Sequence, residues 1–147
     1  MIFLDTSVLV AIAQVDHVHH VPSRELWNGC AAKETAVSAH TLAEFYSSVT
    51  SMPPGIRLSG RDAMLALETF LRRIAPIALA ASEYIETLKS CAAAGLTGGM
   101  IYDALHVACA RKVNAERIYT WNVRHFQRVA PDLAGKIVAP RGLSNLC

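Results

Sequence analysis

Apolar positions along the chain fall into short runs, and between them lie longer stretches where apolar residues recur every three or four positions. Ile2-Phe3-Leu4 is the first short run, and it stops at a carboxylate, Asp5. From Ser7 to about Gln14 the spacing suits a helix. Residues 16–22 read as a loop into a second helix, with Pro22 near its first turn, where a missing N–H costs little. That helix carries Leu26, Trp27 and Cys30 and ends around residues 29–32. Thr35-Ala36-Val37-Ser38 suits a second buried strand.

Thr41 followed by Glu44 has the spacing of a capping box, so Thr41 is the expected start of the next helix. Leu42, Phe45, Tyr46 and Val49 form its apolar stripe. Met52-Pro53-Pro54-Gly55 is a strong stop. Ser59 can cap a helix through Met64, Leu67, Phe70 and Leu71 to about Ile74. Residues 75–79 form a third strand, which Pro76 assigns to an edge or a strand start. Ser82 can cap a fifth helix through Tyr84, Ile85 and Leu88. A Gly-rich loop at 95–99 leads to a helix along Ile101, Ala104, Leu105, Ala108 and Lys112. Residues 117–121 form a fourth strand, 122–128 a short helix and 137–139 a last strand.

Short apolar strands alternating with helices imply an α/β protein with a parallel sheet covered on both faces. There is no repeat, low-complexity segment or interdomain linker, so residues 1–147 read as one domain. The composition agrees: 52% hydrophobic and 18% charged residues over 147 positions can bury a core. No apolar run approaches the ~18–20 residues that span a bilayer. The N-terminus lacks the basic start of a signal peptide and carries Asp5, so a cytoplasmic location is expected.

Charge alters this picture only locally. The formal net charge is +2, but residues 1–102 hold seven basic against nine acidic residues and residues 103–147 seven against three. A basic C-terminal part suits a polyanion such as RNA, and equally a solvated surface. Arg124 and Arg128, one turn apart, are better candidates for RNA contact than Arg111, Lys112 or Arg117. Cys30, Cys91, Cys109 and Cys147 form no C-x-x-C pair and read as reduced thiols.

Four positions share a layout. Asp5 ends the first strand, Glu44 lies in the first turn of the helix after strand two, Asp103 is near the start of the helix feeding strand four, and Asn122 follows strand four. In an open α/β sheet all four can converge at the carboxyl edge. Clustered carboxylates raise one another's pKa unless a cation offsets them. Oxygen-only ligands favour Mg²⁺ or Mn²⁺. The plainer alternative is that Glu44 serves the capping box and Asp103 is a solvated acid. His106 shares a helix face with Asp103, as an orienting group or as a buried histidine with a satisfied hydrogen bond. His17, His19 and His20 lack the spacing of a metal site.

Asp5-Thr6-Ser7-Val8-Leu9, Glu44 in its helix, residues 102–110 (Y-D-A-L-H-V-A-C-A) and residues 120–126 (T-W-N-V-R-H-F) together resemble a PIN domain, more narrowly a VapC-type toxin of a toxin–antitoxin pair. The resemblance implies a three-layer α/β/α sandwich with a five-stranded parallel sheet. It also implies a Mg²⁺- or Mn²⁺-dependent endoribonuclease, a homodimer and a cognate VapB-type antitoxin. By matching position, Asp5, Glu44 and Asp103 would be the acidic metal-binding and catalytic residues. Thr6 or Ser7 would be the hydroxyl beside the metal, and Thr120 the small polar residue ending strand four. Asn122 stands where many relatives carry a fourth acid, which implies one well-held metal. With Ser7, Thr120 and His106 it would support the site.

Three other readings compete. A PIN nuclease with a housekeeping role in RNA processing would carry the same acids. A non-catalytic PIN-like binding module would not need them. A phosphohydrolase of the haloacid-dehalogenase type also opens on a strand-terminal Asp, but it needs a second acid where this chain has Ser7.

Overall fold

A computed structural model describes residues 1–141 of the chain; Cys147 lies outside the described residues. Five strands are formed: β1 (Ile2–Leu4), β2 (Thr35–Ser38), β3 (Ile74–Ile77), β4 (Arg117–Tyr119) and β5 (Ile137–Val138). They are all parallel and lie in the order β3-β2-β1-β4-β5. The chain winds from β1 through β2 to β3 in one direction, then returns to place β4 and β5 on the other side. Strand order therefore reverses at β1. The crevice outside the carboxyl ends of β1 and β4 is the topological switch point, where open α/β sheets bind ligands.

The expected parallel sheet with two covered faces is found, and side-chain alternation along the strands shows how it is built. Leu4 and Val37 join a core with Val8, Leu9, Phe45, Val49, Leu67 and Phe70. Phe3 and Ala36, one residue earlier on each strand, join the opposite core with Val107, Cys109, Ile118 and Phe126. Successive strand residues point to opposite faces, so each short strand feeds both layers. Phe3, Leu4, Phe45 and Phe126 are fully buried, each contributing about 1.5–3 kcal/mol of apolar transfer. Truncating Leu4 to Ala would open a cavity costing about 2–5 kcal/mol.

Helices α1 (Thr6–Ala13), α2 (His20–Gly29), α3 (His40–Thr50) and α4 (Gly60–Leu71) supply the first layer. Helices α5 (Ala81–Ala93), α6 (Met100–Lys112) and α7 (Val123–Val129) lie along the rest of the chain, and residues of α6 and α7 build the second core. β3 is an edge strand, which is why Pro76 is tolerated in it.

Several boundaries differ from expectation for local chemical reasons. Thr41 does not cap α3; the helix begins at His40, and Ser38 Oγ accepts the Thr41 N–H at 3.1 Å from the end of β2. Thr41 itself is fully buried. Ser82 does not cap α5, which starts at Ala81; the Glu83 carboxylate reaches back to accept the Ala80 N–H at 2.6 Å. Ser59 does cap α4, accepting from the Asp62 N–H. Ile74, expected at a helix end, is the first residue of β3. Thr120 and Trp121 fall beyond β4, and a 3₁₀ turn, Pro131–Lys136, precedes β5. Tyr46, Met64, Leu71, Tyr84, Ile85 and Leu88 lie on exposed faces despite their helical spacing. No helix among the described residues is long and apolar enough to cross a membrane.

Candidate active site

At the switch point, β1 stops at Leu4 and Asp5 N–H still donates to Tyr119 O at 2.9 Å, so the sheet ladder holds the Asp5 backbone. Its side chain turns over to cap α1, accepting from Ser7 N–H. Capping an N-terminus with a carboxylate satisfies an orphan donor and places negative charge at the positive end of the helix.

Three donors converge on a single oxygen, Asp5 Oδ2. Ser7 Oγ donates at 2.6 Å, Ser7 N–H at 3.4 Å and Thr120 Oγ1 at 2.8 Å. Each hydroxyl is in turn oriented by a backbone amide, Trp121 N–H onto Ser7 Oγ at 3.0 Å and Asn122 N–H onto Thr120 Oγ1 at 2.9 Å. The four bonds fix both hydroxyl rotors so that their protons point at the carboxylate. Oδ1 is left facing the cleft, with His106 Nε2 3.9 Å away. Asp5 is only 4% exposed but lines the cleft, with Oδ2 anchored by three donors that leave Oδ1 untouched.

Glu44 and His106 form a second unit. Glu44 Oε2 accepts from Thr6 Oγ1 at 2.5 Å and from His106 Nε2 at 2.8 Å. Its Oε1 lies 3.4 Å from His40 Nε2, one helical turn back on α3. His106 is 1% exposed and its Nδ1 meets Ser38 Oγ at 2.8 Å. Facing two carboxylates, Nε2 must carry a proton. Burial would lower the pKa of this imidazole, but the bond to Glu44 and the charges of Asp5, Glu44 and Asp103 outweigh it and hold the pKa above the ordinary value. Burial would likewise raise the Glu44 carboxyl; hydrogen bonds from His106 and Thr6 prevail and keep it below the usual range.

Asp103 behaves in the opposite way. Partial burial and the negative charge of Asp5 push its carboxyl up to about 6, against the relief offered by His106 and His125. It sits in the first turn of α6. The loop before that helix needs a left-handed residue, Gly98 at φ 61°, to turn the chain into it.

Asp5, Glu44, Asp103 and His106 line one open cleft of about 870 Å³, together with Thr6, Ser7 and Asn122. Among the described residues no group of three or more His, Cys, Asp and Glu side chains is drawn together to ligate an ion directly. The donor chemistry nevertheless suits a hard cation that keeps several of its waters. Asp5 Oδ1 is presented to the cleft, and the carboxylate of Asp103 is destabilised by its neighbour. A positive charge between them would relieve that repulsion. Glu44 is less available as a ligand, because one oxygen is committed to Thr6 and His106.

The other expected residues divide. Arg124 and Arg128 are exposed on α7 and do not line the cleft. Arg111 pairs with Asp132 at 2.8 Å, Lys112 with Glu83 at 2.7 Å, and Arg117 donates to Gly135 O at 3.0 Å. These three stitch the fold. His17 and His19 line the cleft, whereas His20 Nδ1 bonds with Ala11 O at 2.9 Å. Reasoning from sequence did not single out Ser38, His40, Tyr102 or Trp121. His40 had a signal, since it precedes Glu44 by four residues on the same helix. Ser38 also had one: it ends β2 as Asp5 follows β1.

A family model described as PIN domain matches residues 2–131, and the chain belongs to the PIN domain family. Ribonuclease VapC27 of Mycobacterium tuberculosis (strain ATCC 25618 / H37Rv) is 34% identical over 113 residues, which cover 77% of this chain and 79% of that protein. Among solved structures, the Sarcin-Ricin loop cleaving toxin VapC20 of Mycobacterium tuberculosis aligns with a TM-score of 0.70 at 20% identity, over 83% of this chain and 90% of that one. VapBC2 of Rickettsia felis, solved bound to a promoter DNA fragment, aligns with a TM-score of 0.60 at 24% identity, over 88% of this chain and 94% of that one. Both share the fold of this chain.

Proposed function

We propose that the chain is a metal-dependent endoribonuclease, the toxin of a VapBC-type toxin–antitoxin pair. The observation that carries this reading is the treatment of Asp5. Three donors hold one of its oxygens while the other faces a cleft shared with Asp103, whose own carboxyl is raised to about 6. Relatives add support: the 34%-identical protein is named a ribonuclease, and fold neighbours include toxin–antitoxin complexes.

Asp5 and Asp103 would hold Mg²⁺ or Mn²⁺, directly or through retained waters, with Glu44 at its margin. An ion held there would supply acidity to a nearby water and offset charge building on the phosphodiester. The chain's own groups do the rest. Glu44 is ionised at neutral pH because His106 and Thr6 bond to Oε2, so Oε1 can orient the attacking water and take its proton. His106 holds that carboxylate in place. Ser7 and Thr120 keep Asp5 from rotating, and the Asn122 side chain adds an uncharged donor and acceptor at the rim. In-line attack of water on an RNA phosphodiester then leaves a 5′-phosphate and a 3′-hydroxyl. Arg124 and Arg128 would add salt-dependent affinity for the RNA backbone from outside the cleft.

A cognate VapB-type antitoxin and a homodimer complete the reading. Its test is biological as well as chemical. Induced expression of the chain should arrest growth, and co-expression of a small protein from the neighbouring reading frame should restore it. Growth unaffected by high expression of folded chain would sink the toxin assignment, and purified chain that leaves total RNA intact in Mg²⁺ and Mn²⁺ would sink the nuclease.

A further inference from the structure

Aromatic rings on the cleft wall are arranged in an unusual way for side chains that merely fill space. His40 and Tyr102 are parallel and offset-stacked, with centroids 5.1 Å apart and planes within 4° of parallel. Tyr102 is half exposed and lines the same cleft as the acids. It immediately precedes Asp103, and His40 Nε2 is 3.4 Å from Glu44 Oε1. The pair therefore connects one wall of the cleft to the residue proposed to handle the attacking water. A flat, half-open phenol backed by a parallel imidazole has the shape and the polarisable face that a nucleobase stacks on.

We propose that Tyr102, backed by His40, is a stacking platform for the nucleobase next to the scissile phosphate, so that the site takes RNA whose bases are unpaired and splayed. The inference rests on the ribonuclease reading and extends it to a specificity residue. Stacking tolerates any base, so the platform selects for single-stranded character more than for sequence. Also lining the cleft, Trp121 is stacked on His19 with centroids 3.7 Å apart and planes 6° from parallel, and it is anchored by its Nε1–H to the buried Ser23 Oγ at 3.0 Å. That ring pair is already closed upon itself and serves as a fixed wall.

The test uses the Asp103→Asn protein, which removes the cleft's charge repulsion and lets binding be read apart from cleavage. The probe is a fluorescein-labelled pool of random-sequence single-stranded RNA 12-mers, followed by fluorescence polarisation. Adding Tyr102→Ala should weaken binding on the order of tenfold, and Tyr102→Phe should bind within about twofold of the parent, since the ring remains. A fully abasic 12-mer should bind weakly and should not distinguish tyrosine from alanine; a loss that is equal for the intact and abasic RNA would mean a merely structural role and overturn the platform. Equal affinity of the alanine and tyrosine proteins for the intact pool would overturn it as well. If no RNA binds, and the wild-type chain in Mg²⁺ also leaves the pool uncut, the ribonuclease reading falls and takes the platform with it. If the wild type cuts the pool and Tyr102→Ala leaves KM unchanged, the platform alone falls.

Discussion

Thr120 Oγ1 donates a 2.8 Å hydrogen bond to Asp5 Oδ2 across 115 residues of sequence. Both groups are buried, and the bond joins the ends of the two neighbouring strands β1 and β4. With Ser7 it turns a side chain that has two equivalent oxygens into one with an anchored oxygen and a presented one. The orientation of Asp5 is thus a property of two chain segments together, residues 5–7 and 120–122.

Removing either hydroxyl should therefore cost both stability and activity. Thr120→Val and Ser7→Ala each delete a donor to Oδ2 and strand a backbone N–H, at Asn122 and Trp121 respectively. Each should lower unfolding free energy by about 1–3 kcal/mol in urea titrations. The double variant should lose less than the sum, because both hydroxyls hold one atom. Strict additivity would show that they do not act on the same carboxylate.

Asp103 gives a prediction with a definite sign. Its carboxyl is raised to about 6, first by burial and then by Asp5. The folded protein thus binds this proton more tightly than the unfolded chain, whose value is about 3.9. Folding stability is lost as pH rises between those values, and the loss is complete above the upper one. In EDTA, Asp103→Asn should melt at a higher temperature than the wild type above pH 6.5, with the gap closing near pH 4. Added Mg²⁺ should raise the wild type's melting temperature more than the variant's. A gap independent of pH would contradict the electrostatic cause.

His106 runs the other way. Its pKa is held above the ordinary value because the bond to Glu44 and the surrounding acids outweigh burial. The stability it contributes is fully present below the unfolded value of about 6.5 and is lost as pH rises through the folded one. His106→Gln should then be most destabilising near pH 5.5 and progressively less so toward pH 9. RNA cleavage should fall roughly 10–100-fold, mainly in kcat, because the side chain positions Glu44 from behind. A variant with unchanged kcat and a raised KM would assign His106 to substrate binding instead.

Asp103 was readable at the start of α6, which follows a loop from α5, whereas Glu44, expected in the first turn of α3, lies just past it because the helix begins at His40. Asp5 was readable because it lies at the junction of β1 and α1, and junctions leave marks in the hydrophobic pattern. The parallel, two-sided sheet was readable for the same reason. Strand order was not, since nothing local to residues 117–119 says that they pair with β1 rather than extend beyond β3. Glu44 shows where local rules mislead. Its spacing from Thr41 suits a capping box, but Ser38 captures the Thr41 amide, and Glu44 is left to bond Thr6 and His106. Ser38 and His106 are 68 residues apart and meet only because α6 packs over β2. The Tyr102–His40 stack depends on that packing too.

The most direct measurement is the single-turnover rate of RNA cleavage by purified chain in Mg²⁺, compared with the same reaction in EDTA and with Asp5→Asn of verified fold. The structure predicts cleavage that stops on chelation and falls at least about a hundredfold in the variant, since the presented oxygen no longer carries charge. Cleavage by Asp5→Asn at the wild-type rate, or wild-type cleavage that persists in EDTA, would contradict an acidic metal site organised on Asp5.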